Sequence, residues 1–303
     1  MPILTGEPRL EEIADGIQAF VQPDGGWCLN NAGLLLTPGG SLLIDTAATE
    51  ARARLLRAFA VEAAGTPPTM LVNTHSHGDH TFGNFMFPEA SLVGNDRTRR
   101  EAAEAGLHLT RLWPEVGWGA VEVVLPDVTF SERMTIYRDG LEIELRSFGP
   151  AHSACDTVVW LPRQRVLFAG DLVMSGVTPF VLTGSVAGLR SAVAGLRELG
   201  AVTIVPGHGP VGGPELLDAT ERYLDWLTGL ARSGLDQGLT PLRAAREAKL
   251  GEFAELLDPE RLAPNLHRAY DELRGGGPGS FAAVDQLFTE MVELHGRLPT
   301  CHA

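Results

Sequence analysis

The heptapeptide THSHGDH at 74–80 constrains this chain more than any other stretch. It offers His75, His77, Asp79 and His80 directly after the apolar run TMLVN. Side chains alternate along an extended segment, so His75 and His77 point the same way and can share one ion. Asp79 and His80 follow where the chain turns and can face a second ion. Surface loops are rich in polar residues, but solubility alone does not call for four metal-capable side chains in so short a run. Three later residues each close a strand-like run where a loop begins: His152 after LRSFGPA, Asp171 at the end of RVLFAGD, and His208 at the end of TIVPGH. Singly, each could be a core residue or a turn former; together they complete a set. Imidazoles and carboxylates in this mixture suit zinc first, and iron or manganese accept the same ligand types.

Around these residues the chain alternates strands and helices. Apolar runs rich in β-formers predict strands near 16–22, 31–37, 41–46, 69–75, 141–148, 156–162, 165–171 and 202–208. Between the third and fourth, Leu55, Leu56 and Phe59 fall at helical spacing ahead of Gly65, Pro67 and Pro68, and a second helix is expected across SVAGLRSAVAGLRELG. The stretch 106–130 fits neither period and reads as a structured loop in which Trp113 and Trp118 are packing anchors or substrate contacts. From Pro214 onward, Leu, Ala, Glu and Arg recur at helical spacing, with a turn signal at Gly275 to Gly279. The expected organisation is a mixed α/β domain over 1–213 and a helical C-terminal region over 214–303 packed on it.

Composition excludes several alternatives. A chain of 303 residues with 44% hydrophobic content buries a sizeable core, and its longest apolar runs are far too short for a membrane span. The opening MPILTGEPRLEE lacks a basic segment before an apolar one, so a cytoplasmic location without a secretory signal is expected. A formal charge of −14 argues against nucleic acid as a partner. The run DRTRR at 96–100, with Arg97, Arg99 and Arg100, is either a solvated helix face or a local basic patch. Cys28, Cys155 and Cys301 show no paired spacing and read as reduced thiols.

The order HxHxDH, a single His, an Asp closing a strand, then PGHG resembles the metallo-β-lactamase superfamily over about residues 16–230. The resemblance implies an α/β fold, the αββα sandwich, with the site at the strand ends. By position it implies a first zinc on His75, His77 and His152, a second on Asp79, His80 and His208, and Asp171 bridging them. Asp79 and Asp171 would then be the catalytic carboxylates around a hydroxide shared by the two ions. Asp45, closing SLLID, would orient a ligand imidazole from behind, or else cap the helix that follows. β-Lactamases that place Cys in the second site differ from this chain, whose comparable residue is Asp171. The carboxylate resembles the glyoxalase II and thioesterase-like branches instead, and Cys155 reads as a small buried hydrophobe.

The segments GGWCLNNAG, NTHSHGDHTFGNFMFP, LFAGDLVMSGVTPF, GSVAGL and LPTC look like the second-ring cyclases of bacterial aromatic polyketide pathways, of the actinorhodin type. That resemblance implies aldol condensation and aromatisation of a small-molecule poly-β-ketone, joined to thioester hydrolysis if the chain arrives on an acyl carrier protein. Met174, Ser175, Val177, Pro179 and Phe180 are pocket candidates because they follow Asp171; Phe82, Phe85 and Phe87 follow His80 but suit a buried helix face equally well. The rival reading is a glyoxalase-II-like thioester hydrolase, weakened by a tail whose single lysine is Lys249. An iron-holding electron-transfer module is a third, weakened by the lack of a flavin domain in this sequence.

Overall fold

The computed structural model describes residues 7–181, 183–277 and 284–303. Two sheets stack face to face. The first runs in chain order through β1 (Arg9–Ala14), β2 (Ile17–Val21), β3 (Ala32–Thr37), β4 (Gly40–Ile44), β5 (Met70–Val72), β6 (Ser91–Asn95) and β7 (Val128–Phe130). Its first four strands form an antiparallel meander and the rest are parallel. The second sheet has the order β12-β11-β10-β9-β8, from β8 (Arg133–Arg138), β9 (Leu141–Phe148), β10 (Asp156–Leu161), β11 (Val166–Met174) and β12 (Thr203–His208).

The continuous apolar runs arise because both faces of the central strands are covered. Leu35, Leu42, Ile44, Val72 and Val93 meet Val159, Phe168 and Val205 between the sheets. Their sequence neighbours Leu34, Leu43, Leu71 and Leu92 point the other way, into a core shared with Leu56 and Ala60 of α1 (Glu50–Ala64). This period of two places one helical layer outside each sheet. On α1, Thr49 caps the first turn by accepting from the Arg52 N–H, and Gly65 ends the helix in the left-handed conformation. Short helices α2 (Gly78–Thr81), α3 (Asp96–Ala105) and α4 (His108–Leu112) follow on the same half.

On the outer face of the second sheet, Val158, Trp160, Leu167 and Ile204 join Leu189, Val193 and Leu196 of α5 (Val186–Leu199), which carries β11 across to the parallel β12. The same core continues into α6 (Glu215–Asp236), α7 (Pro241–Glu247) and α8 (Leu262–Leu273) through Leu224, Leu227, Ala244 and Tyr270. The C-terminal helices therefore share the core of the sheet they cover. A last helix, α9 (Val284–His295), reaches the site described below. Of the expected turn at Gly275 to Gly279, the residues past Gly277 lie outside the described residues. No described helix is long and apolar enough to cross a membrane.

Four strands were not expected: β1, β6, β7 and β8. The burial of β8 alternates between half-buried and exposed, and β7 is three residues long. Polar edge strands of this kind lack the apolar run on which the expectation was built. The stretch 106–130 is mainly loop, interrupted by the five-residue α4 and ending in β7.

Candidate metal centre

Six of the seven residues lie at a strand end or in the segment that follows one; Asp171 lies inside β11, three residues before its end, where a loop was expected to begin. His75, His77, Asp79 and His80 lie beyond β5; His152 lies between β9 and β10; Asp171 is on β11 and His208 closes β12. The fold brings them together in two groups, His75, His77, His152 and Asp171 in one and Asp79, His80 and His208 in the other. Within each group one potential ligand atom per residue lies within 4.8 Å of the others. Asp171 stands between them, with Oδ1 3.1 Å from His80 Nε2 and Oδ2 3.3 Å from His152 Nε2 and 3.5 Å from His208 Nε2.

Oxygen acceptors behind the imidazoles decide their tautomers. His152 Nδ1 faces the Phe180 carbonyl at 2.6 Å, His208 Nδ1 the Gly25 carbonyl at 2.9 Å, and His80 Nδ1 the Asp45 carboxylate at 2.9 Å. Carbonyls and carboxylates only accept, so Nδ1 carries the proton and Nε2 is left to face the centre. Asp45 also accepts from the Thr74 N–H and hydroxyl, at 2.8 and 2.6 Å. It does not cap α1, because Thr49 does. Three buried atoms at the centre, His75 Nε2, His80 Nε2 and Asp171 Oδ1, have no hydrogen-bond partner among the described residues. Buried polar atoms are ordinarily satisfied, so converging ring nitrogens and a carboxylate oxygen without partners fit metal ions. A model of the metallo-β-lactamase superfamily matches residues 25–208, which is most of the chain and takes in all seven of these positions, with His208 at its edge.

The chain belongs to the metallo-β-lactamase superfamily. Among curated relatives, it is similar to metallo-beta-lactamase type 2 of Bacteroides fragilis, 24% identical over 233 residues that cover 73% of this chain and 87% of that protein. It is similar to the 2,4-dinitroanisole O-demethylase subunit alpha of Nocardioides sp. (strain JS1661), at 27% identity over 58% of this chain and 48% of that one. Among solved structures, a metallo-beta-lactamase from Pontibacter korlensis superimposes with a TM-score of 0.59 at 23% identity, over 72% of this chain and 99% of its own.

The two groups of this superfamily member differ electrostatically. Burial, aided by neighbouring imidazoles, keeps His75 and His77 below the usual histidine pKa, and takes His152 down to about 3. Burial also opposes charge on His80 and His208, but the surrounding carboxylates outweigh it. Asp171 and Asp45 raise His80 well above the ordinary value, and Asp171 and Asp79 raise His208 to about 9. Asp79 and Asp171 are correspondingly held below the usual carboxylate range, despite their burial, by these same histidines. Near neutrality without metal, the first group is thus neutral imidazole and the second holds two protonated ones.

Asp156 was not anticipated as a support. It accepts from the Ser153 N–H and, at 2.7 Å, from the Ser153 hydroxyl, fixing the turn that carries His152; burial raises its pKa to about 7. Cys155 is buried, belongs to neither group, and is pushed up to about 11. Glycine is required at 207, where a methyl group would overlap Asp171 Oδ1 and the Gly170 backbone. Gly207→Ala is therefore expected to displace Asp171 and weaken metal affinity by ~10–100-fold, the range for lost support behind a ligand. Competition with a chromophoric chelator measures this.

A cavity of about 910 Å³ opens from the centre, reaching His77, Asp79, Asp171 and His208. Trp27, Trp113, Phe180 and Phe288 form much of its wall together with Met174 and Met291. Of the five pocket candidates after Asp171, Met174 and Phe180 line it, but Ser175, Val177 and Pro179 do not. Those three lie in a segment tied to the C-terminal region: Val177 bridges Leu257, and Pro179 accepts from Asn265 at 2.7 Å. Phe82 lines the cavity, whereas Phe87 is buried beneath the first sheet and Phe85 is half-buried. Trp113 is both anchor and wall, 2% exposed and stacked edge-on against Phe288. Trp118 donates its indole N–H to the Trp113 carbonyl.

The largest omission from the sequence reading is Arg261, a buried cation in the cavity wall. Its guanidinium lies 4.1 Å over the Trp27 ring and 2.8 Å from Asp258. Beside it, Glu260 accepts from the Trp27 indole at 2.6 Å. A local motif could not have found this pair, since the contacts join opposite ends of the chain.

Proposed function

We propose that this protein is a two-zinc enzyme that closes the second ring of an aromatic poly-β-ketone by aldol condensation and aromatisation. The carrying observation is the cavity: about 910 Å³, opening on both ligand groups and walled by Trp, Phe and Met side chains. Small-molecule sites of ~300–1,000 Å³ are usual, so this one suits a large, flat, largely apolar molecule. A metal pair held by the seven residues would supply Lewis acidity to carbonyl oxygens and lower the pKa of their carbon acids. The side chains do the rest. Trp27, Trp113 and Phe288 give ring faces and edges on which an aromatic intermediate can stack. Arg261 puts one positive charge beside oxygens that become anionic as the condensation proceeds. The Nocardioides relative is named for 2,4-dinitroanisole, itself a flat aromatic molecule, which accords with this choice of substrate.

The rim supports a free substrate over one carried by an acidic protein. Glu101, Glu104 and Asp285 border the opening. In the candidate basic patch, Arg100 pairs with Asp96 and Arg99 donates to the Pro126 carbonyl. Of Arg97, Arg99 and Arg100, one is thus paired with a carboxylate and one is tied to the backbone, which reduces what the patch offers an acyl carrier protein.

The deciding experiment offers the zinc-loaded protein a monocyclic aromatic polyketide intermediate, free and carrier-linked, alongside a glutathione thioester. Bicyclic product from the free form, above the metal-free control, is expected by mass and absorbance. Hydrolysis of the glutathione thioester without cyclisation of either polyketide form would show the thioester-hydrolase reading to be right.

A further inference from the structure

Cys28 and Cys301 come from opposite ends of the chain and pack into one aromatic cluster beside the cavity. Cys28 follows Trp27, is 2% exposed, lines the cavity, and holds a left-handed backbone with φ of 63°. Cys301 packs from the C-terminal tail onto the same aromatic cluster. The two thiols share a hydrogen bond, and both are free. Neither belongs to the two metal-capable groups.

The tail that brings Cys301 there is fixed on both sides of it. The Trp113 indole donates to the Pro299 carbonyl at 2.8 Å, and Arg52 of α1 donates to the His302 carbonyl. Arg52 also holds Gln22 at 3.0 Å, so its guanidinium ties the tail to the first sheet. Two thiols that interact across independently anchored segments are an arrangement from which a disulfide can close.

We propose that Cys28 and Cys301 form an oxidisable dithiol, a modification site at which hydrogen peroxide cross-links the C-terminal tail to the cavity wall. Cys301, the more exposed sulfur, attacks one peroxide oxygen; the O–O bond breaks, and a sulfenic acid and one water form. Cys28 then attacks that sulfur, its proton leaving with the hydroxyl as a second water, and the S–S bond closes. Two electrons pass from the sulfur pair to the peroxide. The hydrogen bond from Cys28 favours the Cys301 thiolate and lowers its pKa, which assists the first step. The product staples the tail segment that supports Trp113 to the loop that carries Trp27.

The test treats the full-length, zinc-loaded protein with dilute hydrogen peroxide, then alkylates remaining thiols under denaturing conditions and maps peptides without reductant. Alkylatable thiols are expected to fall from three per chain to one, with a cross-linked peptide joining positions 28 and 301 and Cys155 still alkylated. Dithiothreitol should restore all three. Cys301→Ser should give no intrachain cross-link, and a separate Cys155→Ser variant should form it as the wild type does. Three alkylated thiols after treatment, only sulfinic or sulfonic products, or a cross-link between chains would each overturn the proposal.

Discussion

Asp171→Asn is expected to keep the fold but lose activity by at least ~100-fold, beyond the effect of losing a group behind a ligand. Asn has nearly the same shape, so the tight fit against Gly207 is preserved. What changes is charge. Among the described residues, Asp171 is the one carboxylate within 4 Å of His75, His80, His152 and His208 together, and a neutral amide cannot balance two dications across that space. Zinc content should fall below two per chain while far-ultraviolet circular dichroism stays unchanged. An Asp171→Asn enzyme with wild-type turnover and full zinc would remove Asp171 from between the ions.

Metal uptake is expected to be steeply pH-dependent in the second group and nearly flat in the first. His208, raised to about 9, and His80, raised by Asp171 and Asp45, are both protonated at pH 7 in the metal-free protein. A ligand nitrogen must be free of its proton, so filling both groups should release about two protons per chain near neutrality. The sign follows: below about pH 9 each fall in pH makes the His208 proton harder to displace, and the raised His80 adds to the same fall in affinity. A dication already in the first group expels part of this proton load in advance and softens the slope. His75, His77 and His152 are already neutral and should bind with little proton release. Titration calorimetry in buffers of different ionisation enthalpy counts the protons. Release near zero would contradict the charge distribution described here.

The candidate ligand set was legible because it is written in local patterns. THSHGDH follows one strand, His208 closes another and Asp171 lies near the end of a third, so the alternation of the backbone predicts where they converge. The central strands were legible for the same reason, since burial on both faces demands unbroken apolar runs such as VLFA of β11. Edge strands β7 and β8 were not, because half their residues face solvent. The cavity wall was least legible. Met174 and Phe180, suggested by their position after Asp171, line the cavity, but Val177 and Pro179 contact the chain around Leu257 and Asn265, and the Ser175 N–H donates to the His208 carbonyl. Arg261, Phe288 and Met291 reach the wall from the C-terminal helices, and nothing within their own sequence windows encodes that long-range packing. The alternative roles weighed for Asp45 were separated by one neighbour, Thr49, which occupies the capping position four residues on.

The account rests on two metal ions held by the seven residues. Elemental analysis of the protein, purified without added metal and then dialysed against zinc and freed of excess, tests this directly, with the Asp171→Asn variant alongside. The expected result is about two zinc ions per wild-type chain and fewer in the variant. A wild-type chain that retains no zinc after reconstitution would contradict the account, as would two ions that persist unchanged in the variant.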